Sequence, residues 1–205
     1  MARFGVRVDD ALGGISVPVL RRLARKIGRN HTLAAELWKT GIQEARHLAA
    51  MIDEPEKVTE AQMERWARQF DSWDVCDGCC STLFDKTPFA YRMAMEWSSR
   101  PEEFVKRGGF ALMAVLAVHD KQASDAKFLK FLPAIKREST DGRNFVRKAV
   151  NWALRQIGKR NPALNRSAVK IARRIRTLDS RSARWIAADA LRELTGDAVQ
   201  RRLRR

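Results

Sequence analysis

Cysteine and histidine are scarce in this sequence, and their scarcity argues against a metal-binding domain. The three cysteines are Cys76, Cys79 and Cys80, and the first two match the C-x-x-C pattern by letter. A structural zinc site needs about four ligands, but no second cysteine or histidine pair follows at a suitable spacing, and the three histidines are scattered. We therefore predict no metal and no cofactor, and we interpret the cysteines as small buried apolar side chains.

Long apolar runs and strand-like alternation are also lacking. No stretch approaches the roughly 18 uninterrupted apolar residues of a membrane span, and the N-terminus lacks the apolar run of a secretory signal. We therefore expect a cytoplasmic protein that does not enter the membrane. Because no stretch shows sustained alternation of β-branched residues, we predict an all-α fold.

Acidic residues are too few to balance the basic ones. The chain has 40 Lys and Arg against 24 Asp and Glu, which gives a formal net charge of +16. Such an excess indicates a polyanionic partner, and nucleic acid is the first candidate. Much of the excess lies in two consecutive predicted helices, at Arg143, Arg147, Lys148, Arg155, Lys159, Arg160, Arg166, Lys170, Arg173, Arg174 and Arg176.

Helical periodicity runs through nearly the whole chain, and the breaks between helices are short. Start signals include Pro18 after Ser16 and a capping-box pattern at residues 59–62. Further predicted helices cover residues 31–39, 42–52, 89–97, 128–135, 144–157, 161–178 and 180–194, and one opens at Pro101.

Short connections between helices of this length favour antiparallel pairs stacked into an α-solenoid with a concave basic face. An irregular helical bundle is the alternative. We expect a single domain over residues 1–205, in which the basic tail 196–205 is frayed and adds non-specific attraction to a polyanion.

One short stretch places an indole beside a carboxylate. Residues four apart share a helix face, so Trp73 and Asp77 are predicted neighbours at the edge of a buried stripe of Cys76, Cys80, Leu83 and Phe84. Asp71 or Ser72 is expected to cap this helix. An acid and an aromatic at the rim of a packed face suit a cationic ligand. The same spacing also fits a core tryptophan beside a solvated aspartate.

A second aromatic lies among cations in residues 144–157. The helical wheel buries Phe145, Val146, Ala149, Val150, Ala153 and Ile157. It leaves Lys148, Arg155 and Lys159 on the opposite margin, with Trp152 at the boundary. Cations around an aromatic suit phosphates and bases, although half-buried packing explains Trp152 as well. Similarly, Gly108 and Gly109 after Lys106 and Arg107 indicate close approach of either a nucleic-acid strand or another helix.

Four segments together resemble one known family. They are DSWDVCD at 71–77, FVKR at 104–107, NFVRKAVNWALR at 144–155 and KRNP at 159–162. In this order and at these separations they are similar to the DNA alkylation repair family of HEAT-like-repeat glycosylases, the AlkD-like proteins. The similarity extends from the first residues to about Leu194.

The resemblance implies an enzyme that acts on double-stranded DNA and removes purines alkylated at N3 or N7. By motif match, Trp73, Trp152 and Asp77 are the catalytic residues and Arg107 is the arginine of the family's W-x-R-R motif. The predicted DNA-binding cations are Arg107, Lys106, Arg147, Lys148, Arg155 and Lys159, and we expect a monomer.

Two positions depart from the family pattern. Phe104 stands where the family usually has tryptophan, a mild change that we expect to preserve packing. Relatives usually carry a further helical segment before the phrase matching residues 1–5, and we expect that segment to be absent or the start to be misassigned. The rival interpretations are a non-catalytic helical-repeat protein that binds DNA or RNA, and a protein-interaction scaffold, which the charge of +16 fits poorly.

Overall fold

The structure, a computed structural model, describes residues 14–204. The opening phrase at residues 1–5 therefore lies outside the described residues. The chain divides into two compact units, Met1–Ala90 and Tyr91–Arg205. The described part is helical, which confirms the predicted all-α class. None of its helices has both the length and the apolar character needed to cross a bilayer.

The first unit contains five α-helices within the described residues, and a 3-10 turn at Phe84–Lys86 follows them. The helices are α1 (Val17–Ile27), α2 (His31–Lys39), α3 (Gln43–Ile52), α4 (Glu60–Arg68) and α5 (Trp73–Thr82). The remaining helices are α6 (Ala90–Trp97), α7 (Glu103–His119), α8 (Asp125–Leu129), α9 (Leu132–Glu138), α10 (Asn144–Gly158), α11 (Pro162–Arg176), α12 (Arg181–Leu194) and α13 (Asp197–Leu203).

The helices begin where the sequence carries start signals. The Thr59 side chain accepts from the Gln62 amide, and Asn161 and Ser180 cap α11 and α12 in the same way. These bonds satisfy amides that have no partner inside the helix. Gly28 ends α1 at a φ of 76°, a conformation that glycine adopts without steric cost. The predicted starts of α1, α4, α11 and α12 are confirmed.

The core of the first unit is built on aromatic packing between α2 and α4. The indoles of Trp38 and Trp66 stack with ring centroids 3.9 Å apart and an interplanar angle of 3°. Phe70 and Phe84 extend this cluster. The cluster lies beside α5, whose buried face supplies apolar side chains to the same core. Burial of this kind is the main stabilising contribution to the fold.

The second unit is organised around α7, which is buried from Val105 to Ala117 and packs mainly against α10. Gly109 allows α6 to approach closely. A Cβ at this position would lie 2.5 Å from the Ser98 amide nitrogen and 2.9 Å from the Ala94 carbonyl oxygen. Helix packing, rather than a nucleic-acid strand, therefore accounts for the glycine at Gly109.

The prediction of one helix over residues 128–135 is wrong. The chain forms α8 and α9 there, separated by Lys130 and Phe131. Pro133 lies in the first turn of α9. A proline has no backbone N–H to donate to the carbonyl four residues earlier and its ring clashes with that carbonyl, so α8 cannot continue through it.

The expectation of a frayed tail at 196–205 is also wrong as far as the described residues extend. They form α13, in which Val199 is buried and Gln200 donates to the Leu194 carbonyl oxygen over 2.6 Å. Arg202 donates to the Lys159 carbonyl oxygen over 2.5 Å. The buried Val199 and these side-chain hydrogen bonds, with a further one from Gln200 to Asn165 Oδ1 at 3.3 Å, hold this short helix against the second unit.

Candidate nucleic-acid interface and active-site residues

Trp73 and Asp77 lie one turn apart at the start of α5. Both side chains are partly exposed, whereas Val75, Cys76, Cys79 and Cys80 of the same helix are buried. This is the rim position that the helical wheel predicts. The capping prediction is wrong, because Ser72 occupies the N-cap position without a capping side-chain bond. The Asp71 carboxylate instead pairs with Arg46 at 3.2 Å.

Asp74, the other carboxylate of α5, is engaged by α3. Its Oδ2 accepts from Gln43 Nε2 and lies 3.3 Å from His47 Nε2. Burial alone would raise the pKa of Asp74, but the interactions with His47 and Gln43 outweigh burial and help to hold that pKa below its ordinary value of 3.8. Asp74 therefore fixes α5 to α3, and its neighbour Asp77 occupies the rim.

No sequence pattern singled out His47 and Gln43 as partners of α5. They lie four residues apart on α3, a spacing that puts both on the face turned to α5. The His47 ring also fills the space beside Gly78, where a Cβ would come within 2.9 Å of His47 Nδ1. The spacing was visible in the sequence, but the identity of the packed helix was not.

The three cysteines are buried and free of disulfides. Burial is the main reason that the pKa of Cys79 and of Cys80 lies well above the usual range of a thiol. Protonated, buried thiols are poor nucleophiles and poor metal ligands. Their predicted role as small apolar side chains is confirmed. Within residues 14–204 no three or more His, Cys, Asp or Glu side chains group together as metal ligands would.

Trp152 lies on α10 in the second unit and is partly exposed. The predicted buried arc is confirmed at Val146, Ala149, Val150, Ala153 and Ile157, whereas Phe145 is only partly buried. Trp152 thus lies on the margin between the buried and exposed faces, as the sequence predicts.

The cations around Trp152 are less free than the sequence indicates. Arg155 pairs with Glu193 at 2.5 Å, and Lys159 pairs with the same carboxylate at 2.6 Å. Both acids that face this margin, Asp189 and Glu193, come from α12, which packs alongside α10. Of the predicted DNA-binding residues on α10, Lys148 is exposed and Arg147 is partly exposed.

Lys106 is largely buried and paired with acids, and its contact with DNA stays a prediction. It is 9% exposed, and its ammonium group pairs with Glu138 at 2.5 Å and with Asp141 at 3.3 Å. Burial would raise the pKa of Glu138, but the hydrogen bonds from Lys106 and Arg137 outweigh it and lower that pKa. The sequence could not show that these acids, more than 30 residues away, reach the lysine.

Arg107 is also largely buried, at 6% exposure. Its Nη1 donates to the Phe145 carbonyl oxygen over 2.7 Å, which links α7 to the first turn of α10. Its contact with DNA stays a prediction. Trp73 and Asp77 belong to the first unit and Trp152 to the second, so the convergence of these three side chains on one nucleotide also stays a prediction.

The stacked helices define the class of protein, the all-α HEAT-like repeat proteins. A solved structure from "a new family of proteins related to the HEAT-like repeat DNA glycosylases with affinity for branched DNA structures" superposes with a TM-score of 0.76. It is 21% identical, and the match covers 94% of this chain and 87% of that one. At this identity the similarity shows the fold.

The family follows from the sequence match. Residues 1–194 match the family model described as DNA alkylation repair enzyme, and the chain belongs to that family. A relative, the uncharacterized protein Lin0241 of Listeria innocua serovar 6a, is 23% identical over 167 residues, which cover 80% of this chain and 72% of that protein.

Proposed function

We propose that the protein is a DNA glycosylase that hydrolyses the N-glycosidic bond of cationic N3- or N7-alkylated purines, such as 3-methyladenine and 7-methylguanine, in duplex DNA. The observation that carries the proposal is the pair of partly exposed side chains Trp73 and Asp77, one turn apart on α5. Membership of the DNA alkylation repair enzyme family supports it.

The chemistry requires one well-placed anion. A purine alkylated at N3 or N7 carries a positive charge, so cleavage of the bond between C1′ and the base returns the electron pair to the ring and releases a neutral base. No general acid is needed. The sugar develops oxocarbenium character in the transition state, and the Asp77 carboxylate would stabilise it by several kcal/mol. Water adds to C1′ and loses its proton to solvent or to Asp77.

The indoles supply selectivity for the charged base. Trp73 and Trp152 would contact the cationic nucleotide through their ring faces, with about 0.5–2 kcal/mol available for each contact. A neutral, undamaged base gains neither this attraction nor the ease of leaving. Selection by charge does not require extrusion of the base into a closed pocket, the usual strategy of glycosylases.

The net charge of +16 supplies the affinity for DNA. Lys148 is the exposed cation beside Trp152, four residues before it on α10. Arg147, Arg155, Lys159 and Arg107 complete the proposed set. Of these, Arg155 and Lys159 are paired with Glu193, which limits their contact with phosphate groups.

The test measures free base released from methylated duplex DNA by the protein and by Asp77→Asn. We expect the protein to release 3-methyladenine and 7-methylguanine, and Asp77→Asn to lose this release while it retains binding. Asp71→Asn is the matched control, because it removes the same charge two residues before Trp73 from a carboxylate paired with Arg46. It should retain release.

A second candidate is a non-catalytic HEAT-like protein that binds nucleic acid. The basic excess favours it, and the structural neighbour belongs to a family described as having affinity for branched DNA structures. Tight binding of methylated duplex by a protein that releases no base would support this candidate against the glycosylase.

A further inference from the structure

Trp185 on α12 is an exposed tryptophan in the second unit. It is 38% exposed, and the guanidinium carbon of Arg147 lies 4.7 Å from its ring centroid. A large aromatic side chain with this exposure forfeits much of the stabilisation that its burial would bring. The position is absent from the residues assigned to catalysis above.

Side-chain pairs at a regular spacing join α10 to α12, and Trp185 belongs to the first of these pairs. Three pairs with a constant separation of 38 residues join the helices: Arg147 with Trp185, Asn151 with Asp189, and Arg155 with Glu193. In the second and third pairs α12 contributes a carboxylate, but in the first pair it contributes the indole of Trp185. Among the residues that the structure describes, Arg147 has no carboxylate partner, and its Nη2 donates to Asn144 Oδ1 over 2.9 Å. The charge of Arg147 is therefore not cancelled.

The surface around the pair of Arg147 and Trp185 is basic. Arg181 and Arg184 on α12 and Lys148 on α10 are all exposed. Arg184 pairs at 3.2 Å with Asp179, but both side chains are widely exposed, so solvent and salt weaken that pair. An indole bordered by cations has the chemistry to stack with a nucleobase and to bind the adjoining phosphates.

We propose that Trp185 and Arg147 form a binding site for an unpaired DNA nucleotide, in which the base stacks on the indole and the phosphates pair with the surrounding cations. The site selects an unpaired base because, inside a duplex, the neighbouring base pairs cover both faces of each base. The inference does not depend on glycosylase activity.

The experiment measures binding to a blunt duplex, to the same duplex with a single-stranded overhang, and to the single strand alone. We expect Trp185→Ala to weaken binding to the overhang and the single strand by roughly 5- to 100-fold, and to the blunt duplex by less than about twofold. Trp185→Phe should retain most of the affinity, because it keeps an aromatic face. The matched control is Leu129→Ala, which truncates another exposed apolar residue of the second unit, 42% exposed.

Trp185 is partly buried, so the melting temperature of each variant is measured first. If Trp185→Ala is unfolded, Trp185→Leu replaces it, since leucine keeps apolar bulk but has no ring to stack. An equal loss on all three DNAs would overturn the proposal in favour of a general phosphate contact. No loss on any of them would overturn it in favour of another partner, such as a protein.

Release of alkylated purine from the blunt duplex separates this inference from the proposed function. Trp185→Ala should release the base at the rate of the unaltered protein. If the unaltered protein releases none, the binding comparison still decides whether Trp185 contacts an unpaired base.

Discussion

The two carboxylates on α5 have different surroundings. Asp74 is held by His47 and Gln43 of α3, whereas Asp77, three residues later, lies at the rim of the buried face. The contacts of Asp74 with α3 hold α5 in place, and Asp77 is carried by the same helix. Asp74 is therefore a structural acid and Asp77 is the proposed catalytic one.

Replacement of Asp74 by asparagine should destabilise the fold in a pH-dependent way. The pKa of Asp74 is lowered in the folded protein, so its contribution is present above the unfolded-state pKa and is lost as the pH falls through the folded value. We expect Asp74→Asn to cost about 1–3 kcal/mol at neutral pH. The cost should shrink as the pH falls below the ordinary value of 3.8.

Urea denaturation of both proteins at neutral and acidic pH checks this prediction. A difference in the free energy of unfolding that stays constant over the pH range would show that Asp74 contributes by shape and not by charge.

The sequence predicts the rim position of Trp73 and Asp77 because a helical wheel depends only on local spacing. It does not predict the partners of Asp74, nor the burial of Lys106, because both depend on helices distant in the chain. The acids that pair with Lys106 are Glu138 and Asp141, and nothing in their local pattern marks them as its neighbours.

At the scale of helices, α7 is buried along most of its length, and we expect substitutions in it to be costly. Gly109→Ala would place a Cβ 2.5 Å from the Ser98 amide nitrogen. Although alanine is about 1 kcal/mol better than glycine in a helix, we expect overpacking to prevail and to destabilise the protein by about 1–3 kcal/mol.

Gly142→Ala is the control, because nothing lies within 4 Å of a Cβ at that position. Chemical denaturation should find its stability within about 0.5 kcal/mol of the unaltered protein. A Gly109→Ala protein that is more stable than the original would contradict the close packing of α6 on α7.

The pairing of α10 with α12 limits the cations available to DNA. Glu193 binds both Arg155 and Lys159, and Glu193→Gln should release them. We expect tighter binding to duplex DNA and a steeper dependence on salt, by about one unit of slope for each added phosphate contact.

The control for this prediction is Glu36→Gln, which makes the same change of net charge at an exposed pair with Lys39 in the first unit. Salt titrations of DNA binding compare the two variants. Equal slopes for both would mean that Arg155 and Lys159 do not reach phosphates.

Helix positions were largely predictable because capping residues, prolines and apolar periodicity act within a few residues. Thr59, Asn161 and Ser180 each cap a helix at the predicted place. The exceptions have local causes as well: Pro133 divides the predicted helix at 128–135, and Val199 gives the basic C-terminal segment an apolar anchor.

At the scale of the whole molecule, the charge of +16 and the family match point to DNA as the partner. Fold class was predictable because it follows from the absence of strand patterns and the short connections. The rim of α5 and the margin of α10 belong to separate units of the chain, so their action on one nucleotide stays a prediction.

We propose that the Asp77 carboxylate acts on a purine that carries a positive charge. The measurement that tests this role is the single-turnover release of 7-methylguanine compared with neutral hypoxanthine from otherwise identical duplexes. We predict release of 7-methylguanine alone, slowed by roughly 10²-fold or more in Asp77→Asn. Equal release of the neutral base, or undiminished release by Asp77→Asn, would contradict the account.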